Sequence, residues 1–209
     1  MKEKSILIFL IYISLSNQEN SYSSTITFSN DEAKSSGEGV EISGTFATIT
    51  KEGSYLVTGT STEGNVKIKV DSVDLYLKDL ELSSSSDAPI IVNSGFKNIK
   101  IISLGNVILN DLEDSSSTTG ECATIKVKKQ SQVIFKNEKD FTLNGNCKNV
   151  IKGGVKTSII FENSNGEYNI NAYQNGIASD DYLKFNGGIF TIITKTGDGI
   201  KSSPDDTDT

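Results

Sequence analysis

The chain of 209 residues contains no histidine, no tryptophan and no arginine, since all 20 of its basic residues are lysine. Histidine bases and histidine metal sites are therefore excluded, and so are arginine forks for phosphate or carboxylate. An enzyme built from this chain would have to use Asp, Glu, Lys, Tyr, Ser or Cys, with or without a hard cation.

Positive charge is also scarce, because the formal net charge is −7. An acidic chain is not a nucleic-acid binder by its overall field. It also repels an anionic polysaccharide unless a cation lies between them. We therefore expect no nucleic-acid partner.

The N-terminus has the pattern of a signal peptide. Lys2 and Lys4 precede an apolar run at residues 6–15, and small residues follow at positions 14–16. Ten apolar residues are too few to span a bilayer as a helix, which leaves an uncleaved anchor as the alternative. The sequence thus predicts a signal peptide over residues 1–16, secretion, and no membrane contact after cleavage.

The clearest pattern is a unit of alternating apolar and polar residues that is written twice, over residues 168–179 and 190–202. Each copy breaks at Asn-Gly or Asp-Gly, which favours the positive φ of a tight corner, and then restarts on an isoleucine. The restarting residues are Ile90, Ile125, Ile151, Ile177 and Ile200. Between Ile90 and Ile125 lies a Ser-rich, acidic insert at residues 111–120, as expected for a loop inserted into one repeat.

Alternation with a period of two indicates strands with one buried face. A unit of about 25 residues cannot bury its own apolar face, so the copies must stack. The sequence therefore predicts an all-β protein, a parallel β-helix (solenoid) of about seven coils. We expect a leader that caps the first coil over residues 17–39, regular structure from Val40, the β-helix domain over 40–202 and an acidic tail over 203–209.

Two cysteines, Cys122 and Cys147, lie 25 residues apart, close to one repeat, and each precedes a restarting segment. Stacked repeats would place them on successive rungs, within the Cα separation that a disulfide needs. Secretion would supply the oxidising environment. We predict a structural Cys122–Cys147 disulfide, because no histidine exists to activate a catalytic thiol.

Residues 73–90 read Val-x-Leu-x-Leu-x-x-Leu-x-Leu, then a serine run, then Ala-Pro-Ile, and Gly-rich strand patterns come before them from Gly44. With the corners at Asn175 and Asp198, this order of segments resembles a family of secreted right-handed β-helix proteins. Its members are described as calcium-containing carbohydrate-binding domains, similar in architecture to polysaccharide lyases, with affinity for cellulose and polygalacturonate. The resemblance covers roughly residues 40–202. It implies a right-handed coil, a polysaccharide partner and calcium.

One departure from the family concerns the position after the restarting isoleucine, where members tend to carry acids. Lys126 and Lys152 stand there instead, and only Asp180 and Asp181 keep carboxylates in a corresponding place. Together with Asn175 and Asp198, one rung apart, these acids form our candidate calcium site, since calcium takes oxygen ligands. The alternative is plain corner chemistry, because Asn and Asp before Gly are favoured turn residues.

For sugar contact the sequence offers Tyr173 and Tyr182 near corners. It also offers Lys152 and Lys156, which with Lys126, Lys128 and Lys129 fall on two adjacent repeats, as point charges for uronate carboxylates. Rim packing of the tyrosines and protection of strand edges by the lysines are the alternatives. Tyr168 and Phe190 occupy matching repeat positions and are predicted to stack in the core.

Three functions follow. The preferred one is non-catalytic binding of a cell-wall-type polysaccharide, assisted by calcium. The second is a calcium-dependent lyase with Lys201 as the base, since β-elimination needs a base and a cation. The third is a structural or adhesin-like surface solenoid without a small ligand.

Overall fold

The computed structural model describes residues 21–114 and 122–203. The predicted signal peptide over residues 1–16, nearly all of the predicted acidic tail and part of the insert lie outside these ranges. The described residues form twenty strands and no helix, and therefore no helix able to cross a membrane. The prediction of an all-β protein is confirmed.

In chain order the strands are β1 Ser24–Ser29, β2 Glu32–Ser35, β3 Val40–Ser43, β4 Phe46–Ile49, β5 Gly53–Ser61, β6 Asn65–Ile68, β7 Val73–Ser84, β8 Ile90–Val92, β9 Ile99–Ser103, β10 Val107–Asp111, β11 Ala123–Val127, β12 Gln132–Asn137, β13 Phe141–Gly145, β14 Asn149–Gly153, β15 Ser158–Phe161, β16 Glu167–Ala172, β17 Ile177–Ser179, β18 Tyr182–Phe185, β19 Ile189–Thr194 and β20 Ile200–Ser202.

Two sheets contain these strands. The eight-stranded sheet has the order β20-β17-β14-β11-β8-β6-β4-β3, and all of its pairs are parallel except β3–β4. The twelve-stranded sheet has two arms that meet at the long strand β7, namely β9-β12-β15-β18 and β10-β13-β16-β19. From β8 onward each strand pairs in parallel with the strand three elements later, as stacked repeats require.

The predicted repeat matches the pairing residue by residue. Ile125 pairs with Ile90 on one side and with Ile151 on the other, and Ile151 pairs with Ile177, which pairs with Ile200. The ladder continues through Val66 to Ala47 in the first strands of the same sheet. One-residue slips would turn these side chains to the wrong face, so their burial fixes the register.

The core is a column of apolar side chains between the sheets, and its rings stack from repeat to repeat. The Tyr168 and Phe190 rings are 4.7 Å apart and nearly parallel, which confirms their predicted stacking. Phe161 stacks in the same way between Phe135 and Phe185. Such offset ring pairs add about 0.5–1.5 kcal/mol each beyond their buried area.

The strand β7 changes arms through a bend in its middle. Its first half pairs with β9 and its second half with β10, and Asp79 at the bend has a φ of 48°. The register with β5 shifts at the same level, between Val57 and Gly59. Gly59 has a φ of 99°, and a Cβ there would lie 2.1 Å from the Phe28 carbonyl oxygen, so only glycine fits.

The structure corrects the expectation that regular structure begins at Val40. The strands β1 and β2 form an antiparallel pair, and β1 also pairs in parallel with β5, where it covers the edge of that strand. Ile26 and Phe28 of β1 are buried in the core. Strands this short depend on their pairing partner, which the local sequence does not reveal.

Candidate functional site

The outer face of the eight-stranded sheet carries a row of lysines. Lys126 and Lys152 are direct partners on β11 and β14, while their neighbours Ile125, Val127 and Ile151 point into the core. Continuing away from Lys126, the next outward residues are Ala178 and then Lys201. The spacing is the ordinary strand separation of about 4.8 Å. Because side chains alternate between the two faces of a strand, lysines at matching positions of the repeats lie on the same outer face of the sheet.

A cavity of about 500 Å³, which we call the lysine groove, lies over these strands. Its charged lining residues are Asp87, Lys126, Lys128, Lys129, Lys152 and Asp180. Four cations against two acids make it locally positive on a chain of net charge −7.

The two central lysines are largely buried and hold acids across the groove. Their side chains are only 17% and 13% exposed for Lys126 and Lys152. The Lys126 ammonium lies 2.7 Å from an Asp87 carboxylate oxygen and 3.6 Å from Glu113, and Lys152 pairs with Asp180. Partly buried pairs of this kind are screened less by salt than surface pairs are. The pairs orient both ammonium groups and both groove carboxylates.

Burial raises the pKa of the Asp87 carboxyl, but hydrogen bonds from Lys126 and from the Ala88 backbone N–H outweigh it. The net pKa of Asp87 therefore lies below its ordinary value, and the group is ionised at neutral pH. An ionised carboxylate accepts hydrogen bonds only, whereas the ammonium donates only. The groove wall thus offers both kinds of partner that a sugar hydroxyl uses.

The serine run before Asp87 is held by hydrogen bonds to a carboxylate from another repeat. The hydroxyls of Ser84, Ser85 and Ser86 and the backbone N–H of Ser85 all donate to the carboxylate of Glu63. This corner fixes the loop that presents Asp87 to the groove. Sequence reasoning missed it because Glu63 and the serines lie on different repeats.

A second cavity, of about 330 Å³, continues the groove towards the last strand. It shares Lys152 and Asp180 with the lysine groove and reaches Asn175 and Lys201. The small side chain of Ala178 lies between the two lysines and leaves this space open. The predicted lyase base, Lys201, is exposed here on β20.

The four residues of the predicted calcium site do not converge as one ligand set. The Asn175 amide donates to Asn149, 2.8 Å away, and its oxygen accepts the backbone N–H of Asp198. Asp180 is bound to Lys152, and the Asp181 backbone carbonyl accepts the Ser202 hydroxyl. As arranged, these donors fit the corner and an ion pair better than a calcium shell of six to eight oxygens.

Within residues 21–114 and 122–203, the only close group of three acidic or thiol side chains is Glu113 with Cys122 and Cys147. Those cysteines form the predicted disulfide, with their Cα atoms 5.9 Å apart, so the thiolates are not free for a metal. The disulfide prediction is confirmed, and the bond ties the starts of β11 and β14 together.

The four predicted sugar-contact residues do not lie together. Lys152 lies in the groove, and Lys156 is exposed in the following turn, with a φ of 56°. Tyr182, 49% exposed, begins β18. Tyr173 follows β16 and lies in a different cavity, beside Lys195.

Two acids that the sequence did not assign to a site hold Lys126: Asp87, which lines the groove, and Glu113, which does not. Asp87 lies shortly before the start of β8 and Glu113 shortly after the end of β10, so both lie at corners next to Lys126. One feature of the sequence could have indicated these acids. Lysines stand after the restarting isoleucines, where the family that the chain resembles tends to carry acids, and a buried lysine needs an acid nearby.

Comparison with known proteins identifies the family of this chain. A family model described as carbohydrate-binding domain-containing protein matches residues 43–209. No curated protein matches the chain.

Among solved structures, the "polysaccharide lyase-like protein from C. thermocellum", a gadolinium derivative, has a TM-score of 0.64 at 20% identity, covering 87% of this chain and 79% of that chain. That likeness shows a shared fold. Since the family model spans most of the sequence, this chain belongs to the family of carbohydrate-binding domain-containing proteins.

Proposed function

We propose that the chain is a secreted, non-catalytic carbohydrate-binding module that holds an acidic polysaccharide in the lysine groove. The observation that carries this proposal is the direct pairing of two largely buried lysines, Lys126 and Lys152, each held by a carboxylate. The backbones of these two lysines are one strand spacing apart, about 4.8 Å, so the groove repeats its positive charge along the stacking direction. Family membership supports the carbohydrate partner.

The groove favours an anionic sugar over a neutral one. Lys128 and Lys129 line it, are exposed, and are absent from the ion pairs of the described residues. They are compact point charges suited to uronate carboxylates. On an acidic protein this local excess of cations offsets the repulsion of a polyanion.

We also infer that the stacked strands wind as a right-handed parallel β-helix of about seven coils. The seven-residue ladder from Ala47 to Ile200 and the pairing of strands three elements apart support this reading. The handedness rests on the right-handed crossover rule for parallel strands. In such a helix the groove runs along the axis, which suits a polymer.

Calcium assistance stays a prediction. Asp180, Asp181 and Asp198 carry the carboxylates that would hold the ion, and Asp180 would first have to exchange Lys152 for it. Chelator would then weaken uronate binding.

A lyase is the second candidate function, because Lys201 lines the cavity that continues the groove. Lys201 would take the proton beside the uronate carboxylate. A structural solenoid is the third candidate and predicts indifference to every polysaccharide.

The test is retention of the purified protein on polygalacturonate, in calcium and then in chelator, with ultraviolet detection of unsaturated products. Retention without product, weakened at least tenfold by Lys152→Met, supports the binding module. Lys152→Met keeps the aliphatic stem, and Lys195→Met on another face is its matched control. Absorbing product that Lys201→Ala abolishes would identify a lyase, and no retention under any condition would reject the uronate proposal.

A further inference from the structure

A second outer surface of the molecule is lined mostly by uncharged polar groups. It is the outer face of the strands β10, β13, β16 and β19, which we call the amide face. Its outward residues, in registered rows, are Glu167 and Ile189, then Ile108, Thr142, Asn169 and Thr191, then Asn110, Asn144, Asn171 and Ile193. Glu167, which accepts the Thr191 hydroxyl, is the one charged residue among these ten and lies outside the row of asparagines.

Three asparagines on this face form a hydrogen-bonded ladder. The amide nitrogen of Asn171 donates to the Asn144 oxygen at 2.9 Å, and that of Asn144 donates to the Asn110 oxygen at 2.8 Å. The Asn110 nitrogen donates to the Ser83 hydroxyl at 3.0 Å. The amides are therefore fixed in one orientation, one strand spacing apart.

The ladder leaves hydrogen-bonding capacity unused. A side-chain amide has two N–H donors and two acceptor lone pairs. The contacts along the ladder use one donor and one lone pair of Asn144, so one of each remains. A sugar hydroxyl both donates and accepts, which makes it the matching partner. Repetition at about 4.8 Å suits a repeating chain.

An aromatic ring and apolar side chains border the ladder. Tyr173, Leu112 and Ile193 line the same cavity of about 510 Å³ as the three asparagines, and Ile193 is 61% exposed. The Lys195 ammonium lies 5.8 Å from the centre of the Tyr173 ring, as in a cation–π contact. Apolar and aromatic surface beside a few placed polar groups is typical of ligand sites.

The exposed ladder differs from the asparagine ladder at the corners. Asn149 and Asn175 are buried there, and their amides connect backbone segments of neighbouring repeats. Joining these segments explains the buried ladder without a ligand. Asn171 is exposed, so its free donor faces solvent.

The small number of charges around this cavity favours a neutral ligand. Among the described residues that line it, the only acid is Asp111, which is 1% exposed, and the only cation is Lys195. A polyanion gains little from one cation already placed over an aromatic ring.

We propose that the amide face binds a neutral polysaccharide chain through Asn144, Asn171 and Tyr173, as a site separate from the lysine groove. The chain lies along the stacking direction, with its hydroxyls on the amides and the apolar face of a sugar ring on Tyr173. The protein can then hold an acidic and a neutral glycan at once. This assignment goes beyond the groove and does not depend on it.

The test is titration of the purified protein with two neutral probes, cellohexaose and mannohexaose, and with hexagalacturonate as the anionic probe. Asn171→Ala and Tyr173→Ala should weaken neutral binding at least tenfold and leave hexagalacturonate binding unchanged. Asn186→Ala is the matched control for Asn171→Ala, because Asn186 is an exposed asparagine that follows β18 on the other arm. Asn171→Ala changes an exposed side chain, so it keeps the test valid if Tyr173→Ala misfolds.

Absence of binding to both neutral probes overturns the proposal, and so does unchanged neutral binding in Asn171→Ala. Loss of neutral binding in Lys152→Met, with Asn171→Ala unaffected, would move the neutral glycan into the groove and also overturn it. If hexagalacturonate alone fails to bind, the amide face stands and the groove proposal falls.

Discussion

The lysine groove and the amide face lie on one scaffold but present different chemistry to solvent. Outward positions of β11 and β14 carry Lys126 and Lys152, each paired with an acid. The equivalent positions of β13 and β16 carry Asn144 and Asn171, which pair with each other. The first surface attracts charge, and the second offers oriented neutral donors and acceptors.

This difference shows that, in a stacked fold, the residues that form the core and the residues that face solvent are separate sets. Inward residues of both regions are isoleucine, valine, leucine and aromatic residues, which the ladder keeps in register. Outward residues are under no such packing constraint, because alternation sends them to the other face. Each column of strands can therefore hold its own ligand chemistry without disturbing the core.

The largest expected effect comes from the disulfide that joins β11 and β14, the two strands of the groove lysines. The double variant Cys122→Ser/Cys147→Ser should lower the free energy of unfolding by about 3 kcal/mol, since the bond closes a loop of this length. Chemical denaturation measures the change, and hydrogen exchange should accelerate first in β11 and β14. Unchanged stability, or faster exchange first in β13 and β16, would contradict this coupling.

The next effect concerns Asp111, which lies at the end of β10, where the two surfaces meet. Burial, with a smaller contribution from the Glu113 charge, raises the pKa of this carboxyl to about 6, although backbone N–H groups and Lys126 act in the opposite direction. The folded state therefore binds this proton more tightly than the unfolded state. The stability from this group is present at low pH and is lost as pH rises from about 4 to about 6.

Asp111→Asn should remove that dependence. The variant and the original chain should have similar stability near pH 4, and above about pH 6 the variant should be more stable by roughly 2–3 kcal/mol. Denaturation at a series of pH values measures the difference. A difference that does not change with pH would show that Asp111 titrates normally.

A smaller effect is expected from Lys126→Met, which tests whether the groove works as a row of lysines rather than through Lys152 alone. Loss of one ammonium should weaken hexagalacturonate binding about tenfold, or 1.4 kcal/mol, and leave cellohexaose binding unchanged. Calorimetric titration measures both. If Lys126→Met weakens the binding of both probes equally, the variant disturbs the fold as a whole. The two surfaces would then not be distinguished by their ligands.

The smallest effect is that of salt. Raising sodium chloride from about 0.05 M to about 0.5 M should weaken hexagalacturonate binding several-fold, because exposed charges such as Lys128 and Lys129 are screened. Binding of cellohexaose should change little. The same salt response for both ligands would mean that one surface binds both.

Much of the fold could be predicted from the sequence, because its periodicity is local. Ile125, Ile151 and Ile177 fall in one ladder as their spacing requires, and Cys122 and Cys147 meet because one repeat separates them. The early strands β1 and β2 could not be predicted in the same way, since they are short and are held by pairing with β5 and with each other.

The candidate site was harder to predict because it depends on contacts between repeats. Nothing near Asp87 in sequence indicates that it lies 2.7 Å from Lys126, 39 residues later. The predicted sugar contact Tyr173 follows β16 of the twelve-stranded sheet, whereas Lys152 lies on β14 of the eight-stranded sheet, which sequence distance alone does not reveal. Alternation in the sequence shows which side chains point outward. It does not show which loop lies over them, because that depends on how the chain turns at the corners between strands.

The most direct test of the account is to map hexagalacturonate on the isotope-labelled protein by the chemical shifts of its backbone amides. The account predicts shifts concentrated at residues 126–129 and 152–155, with residues 142–146 and 169–173 unaffected. Shifts confined to the second pair of segments, or spread evenly over the molecule, would contradict the claim that the lysine groove holds the acidic polysaccharide.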